Sequence, residues 1–204
     1  MTASSLDDGI ASQSQNKAVL RKESLARRDA IAVDTRIEAS LLAGEAGLTA
    51  PLLEDVGGKV VAGYHPIRSE MDPRPLMFAL AARGARLCLP VVMDKTTIVF
   101  RELMRGAPLV DCGFGTVGPG EDAATLDPDL LLMPLSVFDA HGGRIGYGAG
   151  HYDRAIANLL AKGKTPVLIG MAFSTQEAQT VPTEAHDQPL NGIITEDGYR
   201  AVTL

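Results

Sequence analysis

The apolar positions of this chain follow two periods. Lys17-Ala-Val-Leu-Arg-Lys-Glu-Ser-Leu-Ala-Arg-Arg28 holds good helix formers and no breaker, which predicts a helix beginning near Asn16. A second helix is expected from about Asp34 to Ala46, ended by Gly47, and a third from Pro73 to Arg83, with proline tolerated in the first turn and Gly84 after the end. Lys59-Val-Val-Ala-Gly-Tyr64, stopped by Pro66, predicts a strand. So do Arg86-Leu-Cys-Leu-Pro-Val-Val92 and Thr96-Thr-Ile-Val-Phe-Arg-Glu102, which a short turn at Asp94-Lys95 joins. Leu130-Leu-Leu-Met-Pro-Leu-Ser-Val137 and Pro166-Val-Leu-Ile-Gly-Met-Ala-Phe173 are continuous apolar runs, the pattern of strands buried on both faces. A helix from about His151 to Ala161 lies between them, and short strands near Gly192–Thr195 and Arg200–Thr203 finish the chain.

Strands alternating with helices predict a layered α/β/α fold with a largely parallel central sheet. Residues 105–128, rich in Gly and Pro, are expected to be mostly loop. Residues 1–15, rich in Ser, Asp and Gln, are expected to be a frayed tail, leaving 16–204 as a single α/β domain.

Composition narrows the class. The chain has 204 residues, enough to bury a core, and 46% of them are hydrophobic. Aromatic residues make up only 4% and Trp is absent, so aliphatic side chains must fill that core. A formal net charge of -6 argues against a general nucleic-acid binder, which needs a basic face, but leaves room for a local basic pocket. The two cysteines, Cys88 and Cys112, form no CxxC pair and no disulfide framework, which suits a reducing, cytoplasmic setting. The polar start is no signal peptide, and no apolar run approaches a membrane span.

The segment richest in chemistry is Gly142-Gly-Arg-Ile-Gly-Tyr-Gly-Ala-Gly-His-Tyr-Asp-Arg154, between a buried strand and a helix. Ligands of open α/β sheets bind at such carboxyl ends. Glycines let the backbone approach an anion, free amides at a helix start can hold phosphate, and Arg144 adds a planar cationic fork. Asp153 stands where it could face a magnesium ion on that phosphate. The competing reading is a tight turn without a ligand. Gly146-Tyr-Gly-Ala-Gly150 is GxGxG rather than the dinucleotide GxGxxG. Gly163-Lys-Thr165 fails as a phosphate loop because Asn158 stands where that pattern needs Gly, and because it lies after a helix and before a strand. His65, His141, His151 and His186 show no zinc-ligand spacing.

The longer string Pro134-Leu-Ser-Val-Phe-Asp-Ala-His-Gly-Gly-Arg-Ile-Gly-Tyr-Gly-Ala-Gly-His-Tyr-Asp-Arg154 resembles the signature of the 5-formyltetrahydrofolate cyclo-ligase family. Lys17-Ala-Val-Leu-Arg21 is similar to its N-terminal KxxxR element, and Tyr64-His-Pro-Ile-Arg-Ser-Glu-Met-Asp72 to its folate-contacting segment. Glu184-Ala-His-Asp187, followed by Gly192-Ile-Ile-Thr-Glu196, is similar to its C-terminal element. The chain departs from the family at Ala149, where glycine is usual, and at His151, where tyrosine is usual.

The resemblance implies a fold related to ribose-phosphate isomerase and CoA-transferase domains. It also implies a magnesium-dependent reaction in which ATP and 5-formyltetrahydrofolate give ADP, phosphate and 5,10-methenyltetrahydrofolate. On that footing Lys17 and Arg144 are the expected catalytic cations. ATP is expected on Lys17, Arg21, Arg144, Ile145, Gly146, Tyr147, Gly148, Ala149, Gly150, His151 and Tyr152. The folate is expected on Tyr64, His65 and Glu70, and on Tyr147 to Tyr152 of the same loop. Asp153 and Asp187 are the expected magnesium residues, and His186 is expected to support the Asp187 loop. The expected partners are ATP and the folate, with or without a polyglutamate tail, and the chain is expected to be a monomer or weak homo-oligomer. His151 in a folate pocket would give the folate affinity a pH dependence near neutrality, whereas a His151 that only starts a helix would not. Two alternatives from other classes are a sugar-phosphate isomerase and a non-catalytic nucleotide-binding regulator. Fold alone would not separate them.

Overall fold

The computed structural model describes residues 3–113, 115–184 and 187–202, with side chains from residue 15 onward. A long helix α1 (Ala3–Asp29) and a second helix α2 (Val33–Leu48) precede strand β1 (Val60–Ala62). Helix α3 (Arg74–Ala82) leads to β2 (Arg86–Val92), which turns back as β3 (Ile98–Glu102). Two hairpins of very short strands follow at either side of β6 (Leu130–Pro134). They are β4 (Leu109–Asp111) with β5 (Val117–Pro119), and β7 (Val137–Phe138) with β8 (Arg144–Ile145). Helix α4 (His151–Ala161), β9 (Val167–Met171), β10 (Gly192–Thr195) and β11 (Gly198–Ala201) complete the chain.

Seven strands make one sheet in the order β11-β10-β9-β6-β1-β2-β3. The inner five run parallel, and the edge strands β11 and β3 are antiparallel. Side chains alternate across this sheet, so consecutive apolar residues serve two cores. Leu130 and Leu132 of β6 pack with Leu76 and Leu80 of α3 and Ala39 and Ala43 of α2. Leu131 and Met133 pack on the other face with Ala155, Ile156 and Leu159 of α4. Both faces are covered, which is why β6 and β9 carry apolar runs instead of an alternating pattern. The layered α/β/α arrangement with a mostly parallel sheet therefore agrees with the sequence.

Close packing against the helices uses backbone without side chains. A Cβ on Gly47 would lie 2.6 Å from Leu76 Cδ2. Helix α3 begins where Asp72 Oδ1 accepts the Arg74 amide at 2.9 Å, and Pro75 sits in its first turn. No helix of the described residues is long and apolar enough to cross a membrane.

Three elements differ from the sequence expectation. Helix α1 starts at Ala3 rather than near Asn16. No proline interrupts residues 3–15, and a helix nucleated at 17–28 extends backward at one hydrogen bond per residue. The 105–128 stretch contains the β4–β5 hairpin, and β6 stops at Pro134 so that Val137–Phe138 can pair with Arg144–Ile145. Strands of two or three residues are too short to display a period.

The β7–β8 hairpin brings the glycine-rich loop to the carboxyl end of β6. Its turn is organised by buried Asp139, which accepts hydrogen bonds from the amides of His141 and Gly143, both at 2.9 Å, and of Val181 at 2.7 Å. Gly142 adopts φ +83, and a Cβ there would lie 2.9 Å from Leu190 O, against backbone that cannot yield. Gly142→Ala is therefore expected to lower stability by ~1–3 kcal/mol through strain and clash. Thermal unfolding measures this, and an unchanged midpoint would show that the turn tolerates a side chain.

Candidate active site

The site lies where the parallel strands end. Helix α1 crosses that edge and contacts the segments leaving β1, β6 and β9 through a polar stripe on its inner face. Lys17, Arg21, Ser24 and Arg28 recur at spacings of four, three and four, so one helical face carries all of them. Ser24 Oγ donates to Ser136 O at 2.7 Å, just past β6. Arg21 Nε donates to Gly146 O at 2.7 Å, inside the glycine-rich loop. Lys17 Nζ donates to Glu184 at 2.9 Å and to Asp187 at 2.7 Å, on the segment after β9. Arg28 Nε donates to Ser69 Oγ at 3.0 Å and its Nη2 to the Tyr147 hydroxyl at 2.8 Å, joining the turn after β1 to the loop.

These contacts shift the charged states. Burial works against the Lys17 ammonium, but the hydrogen bonds and charges of Asp187 and Glu184 outweigh it and raise its pKa. Burial lowers the pKa of Arg21. Arg144, on β8, has a side chain only 7% exposed and pairs with Asp153 in the first turn of α4. Its Nε also donates to Gln188 O at 3.3 Å, beside Asp187. Lys17 and Arg144 thus each sit against a carboxylate expected to serve magnesium.

The glycine-rich loop is open where phosphate was expected. Gly148, at φ +97, and Gly150, at φ +66, hold the left-handed bends that turn the chain into α4. A Cβ on Gly148 would lie 3.2 Å from Arg21 Nη2, a tight contact that the guanidinium must yield to, and the positive φ there independently favours glycine. Ala149 is exposed between them and blocks nothing. Ile145 is buried under the loop. Arg154 donates to Ala149 O and, at 2.7 Å, to Thr96 O. His151 Nε2 lies 3.0 Å from Lys95 O, so these two side chains fasten the loop to the β2–β3 turn.

The other side of the site is aromatic and holds one half-buried acid. Tyr64 is buried, and its hydroxyl donates to Met71 O at 2.7 Å. Glu70 Oε2 accepts the Ile67 amide at 2.9 Å. Burial raises the Glu70 pKa, against the Ile67 hydrogen bond, the Arg28 charge and the Tyr147 hydroxyl. Burial and the Glu70 charge push the hydroxyl of Tyr152 upward, while Arg144 pulls it down. Tyr152 therefore feels both the Glu70 carboxyl and the Arg144 guanidinium. Tyr147 is 40% exposed. His65 is half-buried next to Tyr64, and His186 lies outside the described residues.

The expected residues are thus gathered by three strand ends and one helix. Sequence reasoning missed Ser24, Arg28, Asp139 and Arg154. Arg28 was given no role from the sequence, yet it is 1% exposed. The available signal was the polar stripe continuing at helical spacing beyond Arg21.

The profile of the 5-formyltetrahydrofolate cyclo-ligase family matches residues 13–196. The 5-formyltetrahydrofolate cyclo-ligase of Haemophilus influenzae is 31% identical over 149 residues, covering 70% of this chain and 79% of that protein. The enzyme of the same name from Escherichia coli K12 is 30% identical over 175 residues, covering 83% of this chain and 94% of that protein. Among solved structures, the Aquifex aeolicus 5,10-methenyltetrahydrofolate synthetase superposes with a TM-score of 0.74 at 27% identity, covering 91% of this chain and 92% of that one. The Mycoplasma pneumoniae 5,10-methenyltetrahydrofolate synthetase shares the fold, with a TM-score of 0.69 at 24% identity, over 88% of this chain and 98% of that one. A match along nearly the whole chain, with the enzymes' own lengths largely covered, displaces the isomerase and regulator alternatives: the chain belongs to the 5-formyltetrahydrofolate cyclo-ligase family of enzymes.

Proposed function

We propose that the protein uses ATP to cyclise 5-formyltetrahydrofolate to 5,10-methenyltetrahydrofolate, releasing ADP and phosphate. The observation that carries this reading is the meeting of Arg21 and Arg144 at a glycine-rich loop, with Lys17 one turn away on α1 against Asp187, on the same strand ends that present the half-buried Glu70. One side suits a triphosphate, and the other suits a pterin with its N–H groups.

In this reading the N5-formyl oxygen attacks the γ-phosphorus of ATP and ADP leaves. N10 then attacks the activated formyl carbon, loses its proton, closes the ring and expels phosphate. The chain's contribution is placement and charge. Arg21 and the loop amides position the phosphates, and Lys17 and Arg144 offset the charge that spreads over the transferred oxygens. The Glu70 carboxylate accepts from the pterin and holds the formyl group toward the γ-phosphate. Tyr64 and Tyr152 form apolar walls that keep water from the activated carbon.

Magnesium fits the donors present. Asp153 and Asp187 offer hard carboxylate oxygens, and among the described residues no group of three His, Cys, Asp or Glu side chains forms a protein-only cage. A magnesium ion that takes one or two carboxylates plus phosphate oxygens and water needs no such cage. Bound there, it would neutralise phosphate charge. Lys17 and Arg144 would then exchange part of their carboxylate pairing for phosphate.

The purified protein with magnesium and ATP is expected to form the methenyl product, followed by its near-ultraviolet absorbance. Folded protein that makes none contradicts the proposal. Asp153→Asn and Asp187→Asn are each expected to lower turnover about 100-fold, the scale of losing one electrostatic group, and to weaken the magnesium dependence of the rate. Magnesium titrations that match the wild type in both variants would rule out a metal role.

The Glu70 shift has a testable sign. Its folded pKa is raised, so the folded state holds that proton more tightly than the unfolded chain. The stability this supplies is fully present below the unfolded value of 4.5 and is lost as pH rises through the folded pKa. At pH 7 the ionised form is a cost, so Glu70→Gln is expected to unfold at no lower temperature than wild type while its folate turnover falls. In the wild type, kcat/KM for the folate is expected to drop as pH falls through that raised pKa. A marked loss of stability in Glu70→Gln with normal turnover would assign Glu70 to structure alone.

A further inference from the structure

Arg28 carries no role in the reaction as described, yet it is among the largest fully buried side chains of the protein. Burying a guanidinium is costly unless its charge and hydrogen bonds are met, and a buried ion pair adds little stability over an apolar replacement. Its partners explain its place. Arg28 Nε donates to Ser69 Oγ, and Ser69 Oγ donates to Asp29, the next residue of α1. Arg28 Nη2 donates to the Tyr147 hydroxyl, and Tyr147 lies close enough to Glu70 for each to shift the other's pKa. One guanidinium therefore grips both the residue beside the pterin-side acid and the aromatic residue of the glycine-rich loop.

The neighbouring residue Arg68 strengthens this reading. It holds φ +55, a left-handed backbone that a non-glycine residue adopts only when its surroundings impose it. Its guanidinium carbon lies 5.8 Å from the Tyr147 ring centre, and that of Arg28 lies 5.9 Å away. The bent turn from Ile67 to Glu70 is thus tied to the Tyr147 ring at two points, from within by Arg28 and from the surface by Arg68.

We infer that Arg28 is a positioning residue for the folate: through Ser69 and Tyr147 it holds the Glu70 carboxylate and the Tyr147 ring as one wall of the pocket, and so sets folate affinity separately from ATP affinity. This inference rests on the proposed cyclo-ligase activity. The groups that face Glu70 are Arg28 from α1, Arg68 on its own turn, Tyr147 and Tyr152 from the loop and the start of α4, and Tyr64 past the end of β1. Arg28 and Arg68 are the cations among them. Arg28 is the buried one, least screened by water.

The test is steady-state kinetics over pH on wild type, Arg28→Met, Arg28→Lys, Tyr147→Phe and the Arg28→Met/Tyr147→Phe double variant. Arg28→Met is expected to raise the folate KM about tenfold or more, the scale of a lost charged hydrogen bond, and to leave the ATP KM within about twofold. Loss of a cation beside a half-buried carboxylate raises its pKa, so the acid limb of kcat/KM for the folate is expected to move up by about one pH unit or more. Arg28→Lys should recover part of the shift. Tyr147→Phe should raise the folate KM less, and the double variant should be no worse than Arg28→Met alone, because both changes break one chain of contacts.

Variants that raise both KM values together, with the acid limb unmoved, would overturn the inference and leave Arg28 a structural residue. So would a folate KM unchanged in every variant. If Arg28→Met does not fold, Tyr147→Phe and Ser69→Ala decide, and a wild-type folate KM in both overturns the inference. Wild-type protein without cyclo-ligase activity sinks the underlying proposal instead, so the two failures are told apart.

Discussion

Everything at this site depends on how α1 is fixed across the carboxyl ends of the parallel strands. Most helices dock through an apolar stripe. The inner face of α1 instead carries Lys17, Arg21, Ser24 and Arg28, which together meet the segments leaving β9, β6 and β1. A small apolar patch of Leu20 against Val137, Ile145 and Val181 lies beneath them. The polar contacts are directional, so they set the register of the helix as well as its attachment. They also bring cations from one element and glycines from another to the same place, which neither could achieve alone.

The energetics favour function over stability as the reason for this arrangement. Buried or half-buried charge pairs regain little more than their desolvation cost. Lys17 between Glu184 and Asp187, Arg144 against Asp153, and Arg28 near Glu70 are three such arrangements within one site. The stability of the fold comes from elsewhere, chiefly the two aliphatic cores on either face of the sheet. A charge network laid on a separate, self-sufficient core can exchange partners when a polyanion enters, because the scaffold does not depend on it. The fixed parts of the site are its backbone turns, namely the one held by Asp139 and Gly142 and the bend at Gly148.

Much of this was legible in the sequence where a long period or a strong breaker existed. The strand Arg86–Val92, the helix His151–Ala161 and the strand Gly192–Thr195 fall where the pattern placed them, since each is an apolar run bounded by turn residues. The β4–β5 and β7–β8 hairpins were not legible, because two or three residues hold no period. At the candidate site, Lys17 and Arg21 were expected through a resemblance and Arg144 also from its glycine-rich loop, and they contact Asp187, Gly146 and Asp153 respectively. Arg28 was hidden because a buried arginine looks like surface to any reading that equates charge with solvent. His151 shows the reverse limit. Its contact with Lys95 O depends on a turn 56 positions away, which no local pattern encodes.

The phosphate side of the proposed site is the Lys17–Arg21 end of the inner face of α1, and the folate side is its Arg28 end. The most direct test of this division is calorimetric titration of a non-hydrolysable ATP analogue with magnesium into wild type, Lys17→Ala and Arg21→Ala. The account predicts that each variant binds at least about tenfold more weakly, the scale of one charge-assisted hydrogen bond, while remaining folded. Wild-type affinity in both folded variants would contradict it, and would make the stripe a device for docking the helix alone.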